Sequence, residues 1–240
     1  MLTVLLKGST GRMGTAITAL AAGNGLNIIT CNRDDSLERV PESDVIIDFS
    51  HRACIVPLLK KALMHKKPLI IGTTGHTEEE KESIESAAKE IPVVYSSNFA
   101  VGTNVLFHLI ETAAAILKDF HPELIEIHHA NKKDAPSGTA LSLAKILQNN
   151  YQKPLSFGRS GFLQNPDDEI GVHALRGGDI VGTHTVHFLG QGESLEFTHR
   201  ATDRKIFAVG AIKAAHWIFG KKPGLYSMKD VLRIFGENGF

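Results

Sequence analysis

Residues 1–14 read Met1-Leu2-Thr3-Val4-Leu5-Leu6-Lys7-Gly8-Ser9-Thr10-Gly11-Arg12-Met13-Gly14, an apolar run that breaks into glycines at every third position. Leu2–Leu6 has the length of a buried strand, and Gly14–Gly23 after it is helix-like. Strand, glycine turn and helix in this order open a βαβ unit. Such a turn lets backbone approach a pyrophosphate, and the helix beginning there offers N–H groups and the positive end of its dipole. Gly8, Gly11 and Gly14 depart from GxGxxG, because the second glycine comes one residue late. Alone, the turn is also what any tight strand–helix connection would use. The βαβ context around it favours a dinucleotide.

Outward from this turn, apolar runs recur at Leu26–Cys31, Asp44–Phe49, Pro68–Ile71 and Pro92–Ser96. Helical segments, Ile55–His65 and Thr77–Glu90, lie between them. Short strands alternating with helices predict an α/β fold, a Rossmann-like, doubly wound parallel sheet. The pattern then changes. Helices are expected at Asn104–Phe120 and Ser137–Asn149, and strands at Leu124–His129, Gly171–Leu175, Asp179–Leu189 and Ser194–Arg200. Tyr151 to Asp168, polar and containing Gly and Pro, reads as a loop. Helices Ile206–Phe219 and Ser227–Phe235 close the chain. The expected organisation is a dinucleotide-binding domain, 1–98 plus 204–240, around a second α+β domain, 99–203.

Composition removes several function classes. Lys plus Arg, 26, equals Asp plus Glu, 26, which leaves no electrostatic footprint for nucleic acid or an anionic membrane. Cys31 and Cys54 form no CxxC pair, so a disulfide framework is not expected and a reducing, cytoplasmic setting is. No stretch approaches the ~20 apolar residues of a membrane span, and the first apolar run is too short for a signal peptide. With no Cys pair and no HExxH, no metal is expected.

NAD enzymes commonly place a carboxylate for the ribose 2′-hydroxyl at the end of the second strand, ~20 residues beyond the glycines. Here the strand ends Cys31-Asn32-Arg33-Asp34-Asp35, with Asn32 in that place. With no carboxylate to repel it, a 2′-phosphate can pair with Arg33, and with Arg12 from the turn. NADPH is thereby favoured. Asp34 and Asp35 stay within reach of a 2′-hydroxyl, so NADH remains open, and Arg33 as a plain surface charge is the bland reading. Gly72-Thr73-Thr74-Gly75 and Ser97-Asn98-Phe99-Ala100 follow two further strands, where open α/β sheets bind their ligands.

Glu126 to Ala140 reads EIHHANKKDAPSGTA: a strand end, two histidines, two lysines, then Ser137-Gly138-Thr139 at a helix start. Hydroxyls and free amides at such a start bind carboxylates or phosphates, and an ammonium nearby can protonate a developing anion. Adjacent His128 and His129 point to opposite sides of a strand, so one of them at most faces the site.

Here the sequence resembles the dihydrodipicolinate reductase (4-hydroxy-tetrahydrodipicolinate reductase) family, whose signature is similar to HHxxKxDAPSGTA. The likeness extends to Gly8–Gly14, Asp48-Phe49-Ser50, Gly72–Gly75, Asn98–Gly102, Arg176–Gly182, Glu196–His199 and Arg204. The resemblance implies reduction of 4-hydroxy-tetrahydrodipicolinate, a small heterocyclic dicarboxylate, to tetrahydrodipicolinate by NADPH or NADH in diaminopimelate and lysine biosynthesis. It implies His128 and Lys132 as catalytic proton donors, and His129, Lys132, Ser137, Gly138 and Thr139 as substrate contacts. It implies Gly11, Arg12, Met13, Gly72, Thr74, Ser97, Phe99 and Arg204 as cofactor contacts, to which the residue reading adds Gly8, Gly14 and Arg33. It also implies a homotetramer built on the second domain. Where many relatives carry Arg-His, this chain has Ala130-Asn131, which removes positive charge beside the substrate. Two alternatives stay open: a relative of aspartate or homoserine dehydrogenase, and a NAD(P)-sensing module that binds nucleotide without reducing anything.

Overall fold

The computed structural model describes residues 1–162 and 168–234. The chain separates into two compact units, Met1–Val101 together with the residues from Lys205 onward, and Gly102–Arg204.

In the first unit, strands β1 (Leu2–Lys7), β2 (Leu26–Cys31), β3 (Val45–Asp48), β4 (Leu69–Ile71) and β5 (Pro92–Tyr95) alternate with helices α1 (Arg12–Ala21), α2 (Ile55–Met64) and α3 (Glu78–Ala88). Every residue of β3 is buried, as a central strand covered on both faces requires. The strands pair in parallel in the order β5-β4-β3-β1-β2. Since β1 runs between β2 and β3, the strand order reverses beside it, and the crevice of such a sheet opens at its carboxyl end. The sheet is wound on both faces. Val4, Leu6 and Ile47 pack with Ile17 of α1 and with Ala211 and Ala215 of a later helix, α6 (Lys205–Ile218). Leu5, Ile46 and Ile71 pack with Leu58 of α2 and Ile84 of α3. Thr77 caps α3 through a capping box with Glu80, as its acidic first turn favours.

The second unit holds α4 (from Val101, the last residue of the first unit, to Ile116), β6 (His121–His128), α5 (Gly138–Tyr151), β7 (Leu155–Phe157), β8 (Ile170–Arg176), β9 (Gly182–Leu189) and β10 (Ser194–Ala201). Its sheet is mixed, in the order β10-β9-β6-β8-β7. Along β6 burial alternates strictly, with Leu124, Glu126 and His128 on the buried face. Leu106 and Ile110 of α4 and Leu143 and Leu147 of α5 cover that face with Leu124, Val186 and Phe188.

Four expectations are corrected. The loop read from Tyr151 to Asp168 contains β7, a three-residue strand added in parallel to the edge of β8; residues 163–167 lie outside the described residues. A further strand, β11 (Gly224–Tyr226), pairs with β5 and extends the first sheet. Both are too short for alternation to register and exist because a neighbouring edge offers backbone partners. The strand expected from Asp179 begins only at Gly182. The final helix, expected over Ser227–Phe235, is α7 (Met228–Val231), capped by Ser227 and followed at Arg233 by a φ of 51° that no helix accommodates. Phe235 lies outside the described residues.

Candidate active site

The glycine turn joins β1 to α1 at the switch point of the first sheet. Gly8 has φ 86°, and a Cβ there would run into the Phe49 carbonyl. A Cβ on Gly14 would run into the Gly8 carbonyl, so β1, β3 and α1 meet at a spacing only glycine permits. Gly11 is the N-cap of α1 and supplies no side-chain cap, so Arg12 and Met13 begin the helix with amides that no earlier turn can satisfy. This cradle fits a dinucleotide pyrophosphate. Arg12, Thr74 and Ser97 are exposed. Gly72 closes against the Phe49 ring, and Phe99 is buried edge-on to Phe49 with centroids 5.3 Å apart, so a cofactor contact at Phe99 falls to its backbone.

The loop after β2 is held from below. Lys7, buried, sends its ammonium to the Asn32 carbonyl at 2.6 Å and the Asp35 carbonyl at 3.2 Å. Ser9 Oγ donates to Asn32 Oδ1 at 2.9 Å, and Asp35 folds its carboxylate back onto the Asn32 amide at 2.6 Å. Asn32 is thereby occupied, while Arg33 stays exposed, its Nε 4.0 Å from Asp34 Oδ1. A cavity of about 640 Å³ adjoins this loop, lined among others by Lys7, Arg33, Lys60 and Lys61. Sequence reasoning missed Lys7, Lys60 and Lys61, because the lysines of α2 meet the loop after β2 only in the folded sheet.

In the second unit, the chain leaving β6 is clamped by the turn before β9: the His129 amide donates to Ile180 O at 2.7 Å and the Ala130 amide to Gly178 O at 3.1 Å. His128 and His129 do point apart. His128 is buried, with Gly182 against its Nε2 edge, whereas His129 turns outward and its Nε2 lies 3.1 Å from Arg204 Nη2. Arg204 therefore belongs to this unit, beside a predicted substrate contact. Lys132 donates to both Asp134 oxygens at 2.8 and 2.9 Å. Ser137 caps α5 by accepting from the Ala140 amide at 3.2 Å, and Gly138 beside it is exposed, with nothing within 4 Å of where a Cβ would sit.

Beneath this surface lie three residues that the sequence reading did not single out: Glu126, Arg176 and His184. Glu126 is fully buried; burial alone would push its carboxyl up, but the donors around it, His184, Ser137 and Arg176, outweigh that and bring it down to about 2. The available signal was parity, since Glu126 falls on the core face of an alternating strand. Glu126, His128 and His184 place ligand-type atoms within 4.8 Å of one another. The Arg176 guanidinium, 2.8 Å from the same carboxylate, opposes a cation there.

Burial pushes the His128 imidazole down to about 4; Glu126 opposes this, and the charges of His184, Lys132 and Arg176 add to it. His128 is thus neutral in the folded protein at pH 7, while the unfolded chain protonates it near 6.5. The unfolded state holds more protons between those values, so stability is lost as pH falls through that window, by up to about 1.4 kcal/mol per pH unit. Below 4.5 the Glu126 carboxyl adds a loss of the same sign. Urea unfolding at the two ends of the His128 window is expected to show this slope in the parent and a shallower one in His128→Gln. Equal slopes would mean that His128 is not buried neutral.

A parallel sheet with a glycine cradle at its switch point, and a unit carrying an ammonium beside an open helix N-terminus, define a nicotinamide-dependent oxidoreductase. Residues 26–99 match the family described as dihydrodipicolinate reductase, N-terminus, and residues 102–232 that described as dihydrodipicolinate reductase, C-terminus. A 4-hydroxy-tetrahydrodipicolinate reductase of Akkermansia muciniphila is 48% identical over 241 residues, 97% of this chain and 98% of its own. One of Aquifex aeolicus is 53% identical over 199 residues, 81% of this chain and 75% of its own. The solved dipicolinate-bound dihydrodipicolinate reductase from Paenisporosarcina sp. TG-14 shares the fold, with a TM-score of 0.82 over 96% of this chain and 99% of that one at 21% identity. The chain belongs to the dihydrodipicolinate reductase family. Among the described residues, no helix is long and apolar enough to cross a membrane.

Proposed function

We propose that this chain reduces 4-hydroxy-tetrahydrodipicolinate to tetrahydrodipicolinate with NAD(P)H, in diaminopimelate and lysine biosynthesis, and that Lys132 is its proton donor. The carrying observation is the segment Lys132–Ala140, where an ammonium precedes a serine-capped helix whose first residue is an open glycine. The glycine cradle would hold the nucleotide; the 4-hydroxyl leaves as water together with a ring C3 proton, the nicotinamide would supply a hydride to C4 of the resulting unsaturated ring, and C3 takes up one proton in return.

Ser137, Gly138 and Thr139 receive one substrate carboxylate at the amino end of α5, where helix dipole and amides favour an anion. His129, with Arg204 against it, receives the other. Lys132 rests on Asp134, exposed enough for an incoming carboxylate to compete for it, and holds the proton the reduced ring takes up. His128, neutral at pH 7, is a poor acid there and is left a structural or relay part. Oxidation of NADPH or NADH, followed by nicotinamide absorbance with substrate formed in situ from pyruvate and aspartate semialdehyde, tests the reading. Nucleotide binding without oxidation would return the chain to the sensing module.

NADPH is the preferred donor in this proposal. Arg33 stands exposed beside a lysine-lined cavity, and the carboxylate of Asp35 is engaged by the Asn32 amide. Arg33→Ala is expected to raise the KM for NADPH about tenfold, the loss of one charge-assisted contact, with little change for NADH. Equal changes for both cofactors would remove Arg33 from that role.

The proposal also includes a cytoplasmic homotetramer. Cys31 and Cys54 are free thiols, in keeping with a reducing setting. The sheet face of the second unit away from α4 and α5 carries Ile125 paired with His173 and Thr185, and Ile127 paired with the exposed Leu175. Light scattering of the purified protein checks the assembly.

A further inference from the structure

Glu126 sits on β6 with Oε1 accepting from the Ser137 amide at 3.0 Å and from Arg176 Nη2 at 2.8 Å. Its Oε2, also buried, has no hydrogen-bond partner among the described residues, yet His128 Nδ1 faces it at 3.3 Å and His184 Nε2 at 3.5 Å. His184 Nε2 in turn lies 3.0 Å from Ser137 Oγ, the atom that caps α5. Arg176 reaches on to the Asp134 carbonyl at 2.6 Å. One carboxylate thus ties together the end of β6, the turn that carries Asp134 and the first turn of α5.

A buried ionised carboxylate is costly to desolvate, and for stability alone an apolar side chain of the same volume commonly serves as well. Apart from Arg176, which braces the Asp134 turn, the groups gathered on Glu126 converge on the Ser137 cap assigned above to the substrate, by its amide and through His184, with the buried His128 ring beside them. The two imidazoles, with centroids 5.1 Å apart and edge-on, share the one oxygen left unfilled.

We infer that Glu126 is a positioning residue for the reduction, which holds the Ser137 cap and the His128 ring in the arrangement that receives the substrate carboxylate. The inference rests on the assignment of Ser137–Thr139 as the substrate clamp. Displacing such a clamp by about an ångström costs on the order of a hundredfold. The loss falls on substrate binding, because Glu126 itself touches no reacting atom.

The test uses the full chain with NADPH and the dicarboxylate substrate. Glu126→Gln, an isostere, is expected to raise the substrate KM about ten- to a hundredfold, to change kcat less and to leave the NADPH Kd unaltered. Ser137→Ala is expected to raise the same KM. The double variant should be no worse than the poorer single one, because both act on one cap. Glu126→Asp, which keeps the charge, should recover part of the loss. Fully additive effects, or an unaltered KM in Glu126→Gln while Ser137→Ala raises it, overturn the positioning role. An unaltered KM in Ser137→Ala means that the clamp assignment has failed, a separate outcome that takes the inference with it. If melting curves show neither Glu126→Gln nor Glu126→Asp to be folded, Glu126 serves the fold and the inference falls.

Discussion

Lys132→Ala is expected to lower kcat by about a hundred- to ten-thousandfold, the range for loss of a positioned acid, while NADPH still binds. The segment Lys132–Ala140 carries two ammonium groups, and of these Lys132 is half-buried and paired with Asp134, whereas Lys133 after it is exposed. The nucleotide cradle is formed from residues of the other unit and does not include Lys132, so nucleotide affinity separates lost chemistry from lost folding. Lys132→Arg distinguishes two roles that the alanine variant merges. It keeps a cation for the carboxylate, but a guanidinium does not give up its proton at neutral pH. A proton donor at this position predicts an arginine variant with a tolerable substrate KM and a kcat as low as that of the alanine variant. Substantial turnover by Lys132→Arg would reduce Lys132 to a binding charge and reopen the choice of acid.

The second large effect is expected at Gly8. An added Cβ meets the Phe49 carbonyl and comes within 2.9 Å of Ser50 Cα, both backbone, where no side-chain rotation gives relief. The φ of 86° adds strain for any residue but glycine. Gly8→Ala should therefore lower stability by about 2–4 kcal/mol and remove measurable nucleotide binding, because the turn must open to fit the methyl group. Gly23→Ala is the control: nothing lies within 4 Å of its Cβ and its φ is not positive, so it should melt no lower than the parent. Calorimetric melts and a fluorescence titration with NADPH read both effects. A Gly8→Ala variant with parental melting and parental affinity would mean that the turn is looser than its geometry.

Much of the first unit was legible before any coordinates. Leu26–Cys31, an edge strand with Asn27 and Thr30 exposed, was bounded to the residue, and the other early strands to within a position or two, where β3 and β4 are unbroken, fully buried apolar runs. The helix after the glycine turn starts earlier than its composition suggested, at Arg12, since helix entry there is set by the turn and not by apolar spacing. Legibility was poorest where an element has three or four residues: β7, β11 and α7 have too few side chains to carry a period. In the site, the residues from His128 to Thr139 could be named because they are contiguous. Lys7 and Glu126 could not, because a charge within a strand says little until its burial is known.

The sequence by itself determined the glycine turn after the first strand, the alternation that builds the parallel sheet, and the basic segment that ends in a capped helix. These depend on neighbours in the chain: glycine tolerates the turn, apolar runs bury, and serine caps the amide three residues on. The tertiary structure alone decided that Ser137, Arg176 and His184 surround Glu126, with Arg176 lying 50 residues from it along the chain. It also decided that the Asp35 carboxylate folds back onto the Asn32 amide, leaving the exposed Arg33 without that partner. The physical reason is that strand pairing sets which distant side chains share a sheet face, and only that register brings the donors to a buried carboxylate that could not otherwise remain ionised.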